Sequence, residues 1–83
     1  MQIFARKIDV VAKFKENGEI DPIKFRVSRN DGSQVVVMID RVIDRRLDRT
    51  GGYESIVILC EAEGKKCELK FWKEDCMWML FRA

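Results

Sequence analysis

Apolar and polar residues alternate with a period of two in several short runs of this chain, and turn residues separate the runs. That period sends successive side chains to opposite faces of a strand. Six strands follow. The first lies near 7–15, with Ile8, Val10, Ala12 and Phe14 on one face. The second, near 23–29, aligns Ile23, Phe25 and Val27, and the third, near 33–43, aligns Val35, Val37 and Ile39. The fourth, near 53–62, carries Ile56, Ile58, Cys60 and Ala62. The fifth, near 65–72, carries Cys67, Leu69 and Phe71. The sixth, near 76–82, is apolar on both faces.

Two turns fix the register, and a slip of one residue would reverse every face. Asn30-Asp31-Gly32 suits a three-residue hairpin loop with a left-handed Gly. It sets Arg29 opposite Ser33, Val27 opposite Val35, Phe25 opposite Val37 and Ile23 opposite Ile39. On the other face it sets Arg26 opposite Val36 and Lys24 opposite Met38. Glu63-Gly64, as a two-residue loop, sets Cys60 opposite Cys67, Ile58 opposite Leu69 and Ile56 opposite Phe71. Outside, it sets Glu61 opposite Lys66 as an ion pair. A loop of about eight residues ending at Pro22 is expected after the first strand, with Phe14 near Ile23. Asp44 to Gly52 has no hairpin form; Ile43 and Leu47, four apart, suggest a short helical turn there.

These strands form one domain over residues 1–83: an all-β, six-stranded antiparallel meander whose continuous apolar face curls it into a small barrel or a compact sandwich. Composition agrees. Val and Ile number 16 against 8 Ala and Leu, and β-branched side chains pack well on pleated surfaces.

Charge and composition then narrow the function. The chain has 16 Lys+Arg, 14 Asp+Glu and no His. Without His there is no Ser-His or Cys-His nucleophile pair, no imidazole base and no imidazole metal ligand. The scattered carboxylates are explained by turns, so no enzyme activity and no cofactor are expected. The longest apolar run, Cys76 to Phe81, is far below the ~20 residues of a spanning helix. Met1–Lys7 lacks the layout of a signal peptide. No membrane association is expected, and a cytoplasmic location would keep the three Cys reduced.

Asp21-Pro22-Ile23-Lys24-Phe25, the Ile39–Arg46 run, Gly51-Gly52 and Phe71-Trp72-Lys73-Glu74-Asp75 resemble a group of short single-domain proteins of unknown function from Firmicutes, chiefly clostridia. The resemblance implies an intracellular bacterial protein with one β-rich domain. It assigns no activity, cofactor or site residue. After Arg46 this sequence departs from the group's pattern, with a shorter, more charged Leu47-Asp48-Arg49-Thr50.

Three residue sets remain as candidates. The Cys spacings, six and eight intervening residues, do not suit a structural zinc site. Cys60 and Cys67 are expected in the core. A cross-strand disulfide fits their register, but a reducing compartment argues against it. Cys76 lies by an acidic turn with no cation to activate it. Lys13 and Lys15, beside Lys24 and Arg26, form a basic strip on the first two strands. With Arg45 and Arg46 of an Arg-rich loop (Arg41 to Arg49), they constitute a nucleic-acid or anion site. Phe14 and Phe25 face the core on this reading, so base-stacking aromatics are lacking, and Asp40, Asp44 and Asp48 neutralise the loop. The third set is the last strand, where Cys76, Trp78 and Leu80 share one face and Met77, Met79 and Phe81 the other. Trp72 adds to the second. A strand with one wet face should alternate with polar residues. The surface is either closed over, by the barrel or by Ile3 and Phe4, or is an interface rich in the Met and aromatics that interfaces favour. The first expectation is therefore a binding module that contacts a protein partner or itself, as a homodimer, through Trp72, Met77, Trp78, Met79 and Phe81. The nucleic-acid or anion-binding barrel, through Lys13, Lys24, Arg26, Arg45 and Arg46, is the alternative.

Overall fold

The two hairpin turns behave as their sequences require. Arg29 N–H donates to the Ser33 carbonyl at 2.7 Å and Gly32 N–H to the Arg29 carbonyl at 3.0 Å. Gly32 is left-handed, at φ 87°, as the third residue of such a loop must be. Glu63 and Gly64 are both left-handed, at φ 52° and 78°, the geometry that matches a two-residue turn to strand twist. The structure is a computed structural model that describes residues 3–83, with side chains described from Ala5 onward. Its strands are β1 (Ile3–Phe14), β2 (Ile20–Ser28), β3 (Gln34–Asp48), β4 (Ser55–Ala62), β5 (Lys65–Trp72) and β6 (Met77–Arg82). Each pairs antiparallel with the next and β6 returns to β1, so the meander closes into a barrel.

The registers Val27–Val35, Phe25–Val37, Arg26–Val36 and Lys24–Met38 are as expected, and so are Cys60–Cys67, Ile58–Leu69 and Ile56–Phe71. The core fills from these inward positions. Ile58, Cys60 and Leu69 are fully buried, with Phe25, Phe71, Trp78 and Leu80 around them. Glu61 faces Lys66 in register, but its carboxylate pairs with Arg41 at 3.5 Å instead.

Closure needs two long, bent strands. β1 pairs with β6 through its first half and with β2 through its second. β3 pairs with β2 as far as Met38, then with β4 from Ile39 to Asp48. Register shifts mark the bends. In β3, Asp40 and Ile43 are the extra residues, and in β2 it is Ile23. Bulges bend a strand and raise its twist, which lets one strand serve two sheet directions.

These bends overturn four expectations. The segment after Asp44 is strand as far as Asp48, followed by a single 3₁₀ turn at Thr50–Gly52. Ile23 faces no Ile39; it is bulged out and exposed. Pro22 sits buried inside β2, opposite Ala12, where the ladder is already irregular and its missing N–H is tolerated. The β1–β2 link is five residues, Lys15 to Glu19, so Phe14 meets Ile20 and closes the hairpin. Phe14 is thus at the barrel mouth, 62% exposed, in an edge-to-face pair with Phe71 whose ring centroids are 5.8 Å apart.

Two exposed turns carry a pH dependence. Asp31 accepts from the Ser33 hydroxyl at 2.6 Å and the Ser33 N–H at 2.9 Å. Asp48 accepts from the Thr50 hydroxyl and N–H. These bonds, hydroxyl first, hold both carboxyls below the usual range, and Lys70 and Arg46 add to the effect at Asp48. A depressed folded pKa stabilises above the unfolded value, about 3.9, and the gain is lost as pH falls through the lower folded value. Asp31→Asn with Asp48→Asn keeps an acceptor but removes the titration. The urea midpoint of this variant should therefore fall less than that of the parent between pH 4 and pH 2. An identical acid fall in both chains would contradict the assignment.

Candidate interaction surface

The last hairpin turns at Lys73–Cys76, where Cys76 is left-handed and its N–H reaches the Lys73 carbonyl at 3.4 Å. Cys76 is therefore a turn residue, not part of the strand. The turn sets Trp72 opposite Met77, Phe71 opposite Trp78, Lys70 opposite Met79 and Leu69 opposite Leu80. The two faces of β6 then separate as the alternation requires. Trp78 and Leu80 go inward; Met77, Met79 and Phe81 join Trp72 on the outside, all half-buried.

Trp78 is corrected by this placement. It is 8% exposed and packs on Phe71 with ring centroids 4.8 Å apart. It belongs to the core and presents nothing to a partner. Barrel closure explains the inner apolar face, because β6 has β5 on one side and β1 on the other and is no edge. Ile3 and Phe4, the other candidate cover, have side chains outside the described residues.

The outer apolar residues are organised by charge. Lys70 Nζ lies 3.9 Å above the Phe81 ring and 3.7 Å from an Asp48 carboxylate oxygen. Arg82 stands 5.2 Å from the same ring. Glu68, nearly buried, takes Arg46 at 3.5 Å. The aliphatic stem of a Lys held this way lies along apolar surface, and a cation over a ring is attracted to its face. The result is an apolar strip of Trp72, Met77, Met79 and Phe81, flanked by two ion pairs of balanced sign.

The basic candidates are mostly consumed. Arg26 pairs with Asp9. Arg45 and Arg46 are not on a loop: they are successive β3 residues, facing Ile58 and Val57 on opposite sides of the sheet. Arg45 turns to the inner side at the gap left where β2 and β3 part. There it binds Asp21, Glu19 and the Ile20 carbonyl, the last at 3.2 Å. Arg46 is the partner of Glu68. Lys15, of the same strip, reaches Asp21 at 2.9 Å. The expected Asp–Arg pairing within the segment is replaced by pairs across strands. Among the described residues, Lys13 and Lys24 are the two of the five basic candidates that form no ion pair.

One surface was understated by sequence reasoning. Val11, Val36 and Met38 surround Lys24 on the outer face of β1–β3 and are each about half exposed (51%, 52% and 51%). Arg26 and Lys24, which face Val36 and Met38, leave both half exposed. The signal was available in Val36 and Met38 opposite charged residues, but Val11 required the β1–β2 register. The three cysteines do not converge: Cys60 and Cys67 are buried in the core and Cys76 is exposed.

Comparison with known proteins adds no constraint: no family model, curated protein or solved structure matches the chain.

Proposed function

We propose that this barrel is a non-catalytic binding module that associates with a second copy of itself through the outer face of β5 and β6. The observation that carries the reading is the strip Trp72–Met77–Met79–Phe81, four large apolar side chains contiguous on one outer face. Met and aromatics are enriched at protein interfaces relative to the rest of the surface. The flanking charges favour a copy over a charged partner. Asp48 and Glu68 balance Lys70 and Arg46, and a two-fold contact must be complementary to itself.

Light-scattering mass across a wide concentration range, at low and high salt, tests this. The dimer should form at both salts, because apolar burial is not screened. A monomer at every concentration contradicts the reading. The nucleic-acid alternative now rests on Lys13 and Lys24, and phosphate binding falls steeply with salt. Lys13→Glu with Lys24→Glu should leave the dimer intact. Loss of association in that variant would transfer the function to the basic face.

A further inference from the structure

We infer that Cys60 and Cys67 are an oxidisable pair, which a hydroperoxide converts to a disulfide across the β4–β5 hairpin. The two residues are direct cross-strand partners, and their sulfurs lie 3.1 Å apart. The Glu63-Gly64 turn fixes that register, so the approach is built into the hairpin. Facing residues of an antiparallel pair have Cα atoms about 4.5–5.5 Å apart, inside the range of about 4.4–6.8 Å that a disulfide accepts.

The route and order of reaction follow from the surroundings. Cys67 lines a cavity of about 320 Å³ at one mouth of the barrel, together with Arg6, Lys65 and Lys66. The cavity gives a small peroxide a route to the Cys67 sulfur. Cys60 is fully buried beneath it. The hydrogen bond between the sulfurs draws the Cys67 thiol down. The same bond, and then burial, push the Cys60 thiol up. Cys67, which lines the cavity, is thus the attacking sulfur, and Cys60, fully buried behind it, the resolving one.

The chemistry balances with one peroxide. Cys67 thiolate attacks a peroxide oxygen and the O–O bond breaks. The departing hydroxide takes up the proton that Cys67 gave off, and Cys67 becomes a sulfenic acid. The Cys60 sulfur then attacks the Cys67 sulfur, the S–O bond breaks and the S–S bond forms. The second hydroxide leaves as water with the Cys60 proton. Two thiols and one hydrogen peroxide give one disulfide and two waters.

The test uses the full chain carrying Cys76→Ser, which removes the exposed thiol without touching the core. The folded protein is treated with hydrogen peroxide, then denatured and alkylated. Both remaining thiols should be lost within one chain, with a mass lower by about 2 Da, and dithiothreitol should restore them. Tm should rise by about 10 °C on oxidation, since the bond closes a short loop. Two alkylated thiols after treatment would overturn the inference. A link between two chains, or over-oxidation of Cys67 with Cys60 still free, would overturn it equally.

Discussion

Trp78→Ala should destabilise the barrel by about 3–5 kcal/mol, the usual cost of truncating a buried aromatic to alanine. The reason is its position on the inner face, against Phe71 and opposite Ile8. Its removal deletes the transfer energy of a large ring and leaves a cavity. A chain of 83 residues has total stability of about 4–12 kcal/mol at the usual ~0.05–0.15 kcal/mol per residue. The variant should therefore sit near its unfolding limit, with Tm lowered by more than about 10 °C. Urea unfolding followed by circular dichroism reads this directly. A loss below about 1 kcal/mol would place Trp78 outside the core and invert β6.

Met79→Asp, one residue along, should do the opposite. Met79 faces outward and is half-buried, so its loss should cost about 1 kcal/mol in the isolated barrel, the centre of the range for point substitutions. Association should collapse instead. An aspartate at the centre of an apolar contact must give up its water with no partner provided, and that costs several kcal/mol. A two-fold interface carries the defect twice. The dissociation constant should rise by at least about 100-fold, equivalent to ~2.7 kcal/mol. Light scattering on the folded variant measures it. Unchanged association would remove the β5–β6 face from the account. The adjacent pair is informative because failure to fold and failure to associate are assigned to different residues.

The strands and two hairpin registers were legible because local and long-range signals agree there. Alternation in Phe25–Val27 and Val35–Val37 matches the Asn30-Asp31-Gly32 loop, and alternation in Ile56–Cys60 and Cys67–Phe71 matches Glu63-Gly64. Consistency between levels of this kind marks a well-specified fold. The misreading of 44–48 as a helical turn has a definite cause. Bulges at Asp40 and Ile43 insert two extra residues, so the inward residues Ile39, Val42, Arg45 and Leu47 fall three, three and two apart. The bulged Ile43 and the inward Leu47 thus fall four apart, a helical spacing although both are in a strand. Phe14 and Ile23 were misplaced by the β2 bulge, which also depends on closure and not on any local pattern.

The candidate site was legible in part. Two-faced apolarity singled out β6, and alternation separated Trp78 and Leu80 from Met77, Met79 and Phe81, as in the structure. Which face was inside could not follow from the segment itself, since both are apolar. That choice depends on pairing with β1 and β5, which sends Trp78 toward Phe71. The cation over Phe81 was invisible for the same reason, because Lys70 and Phe81 lie 11 positions apart in the chain. Neutralisation of the Arg cluster was anticipated, but by Asp residues of its own segment. Closure supplies the actual partners, Asp21, Glu61 and Glu68, from three other strands.

The most direct test is to follow the methyl resonances of the methionines by NMR as the protein is diluted. Met77 and Met79 sit in the strip, while Met38 lies on the separate β1–β3 face. Met77 and Met79 should shift with concentration while Met38 stays fixed. A shift confined to Met38, with Met77 and Met79 unmoved, would contradict the account and place the contact around Val11, Val36 and Lys24.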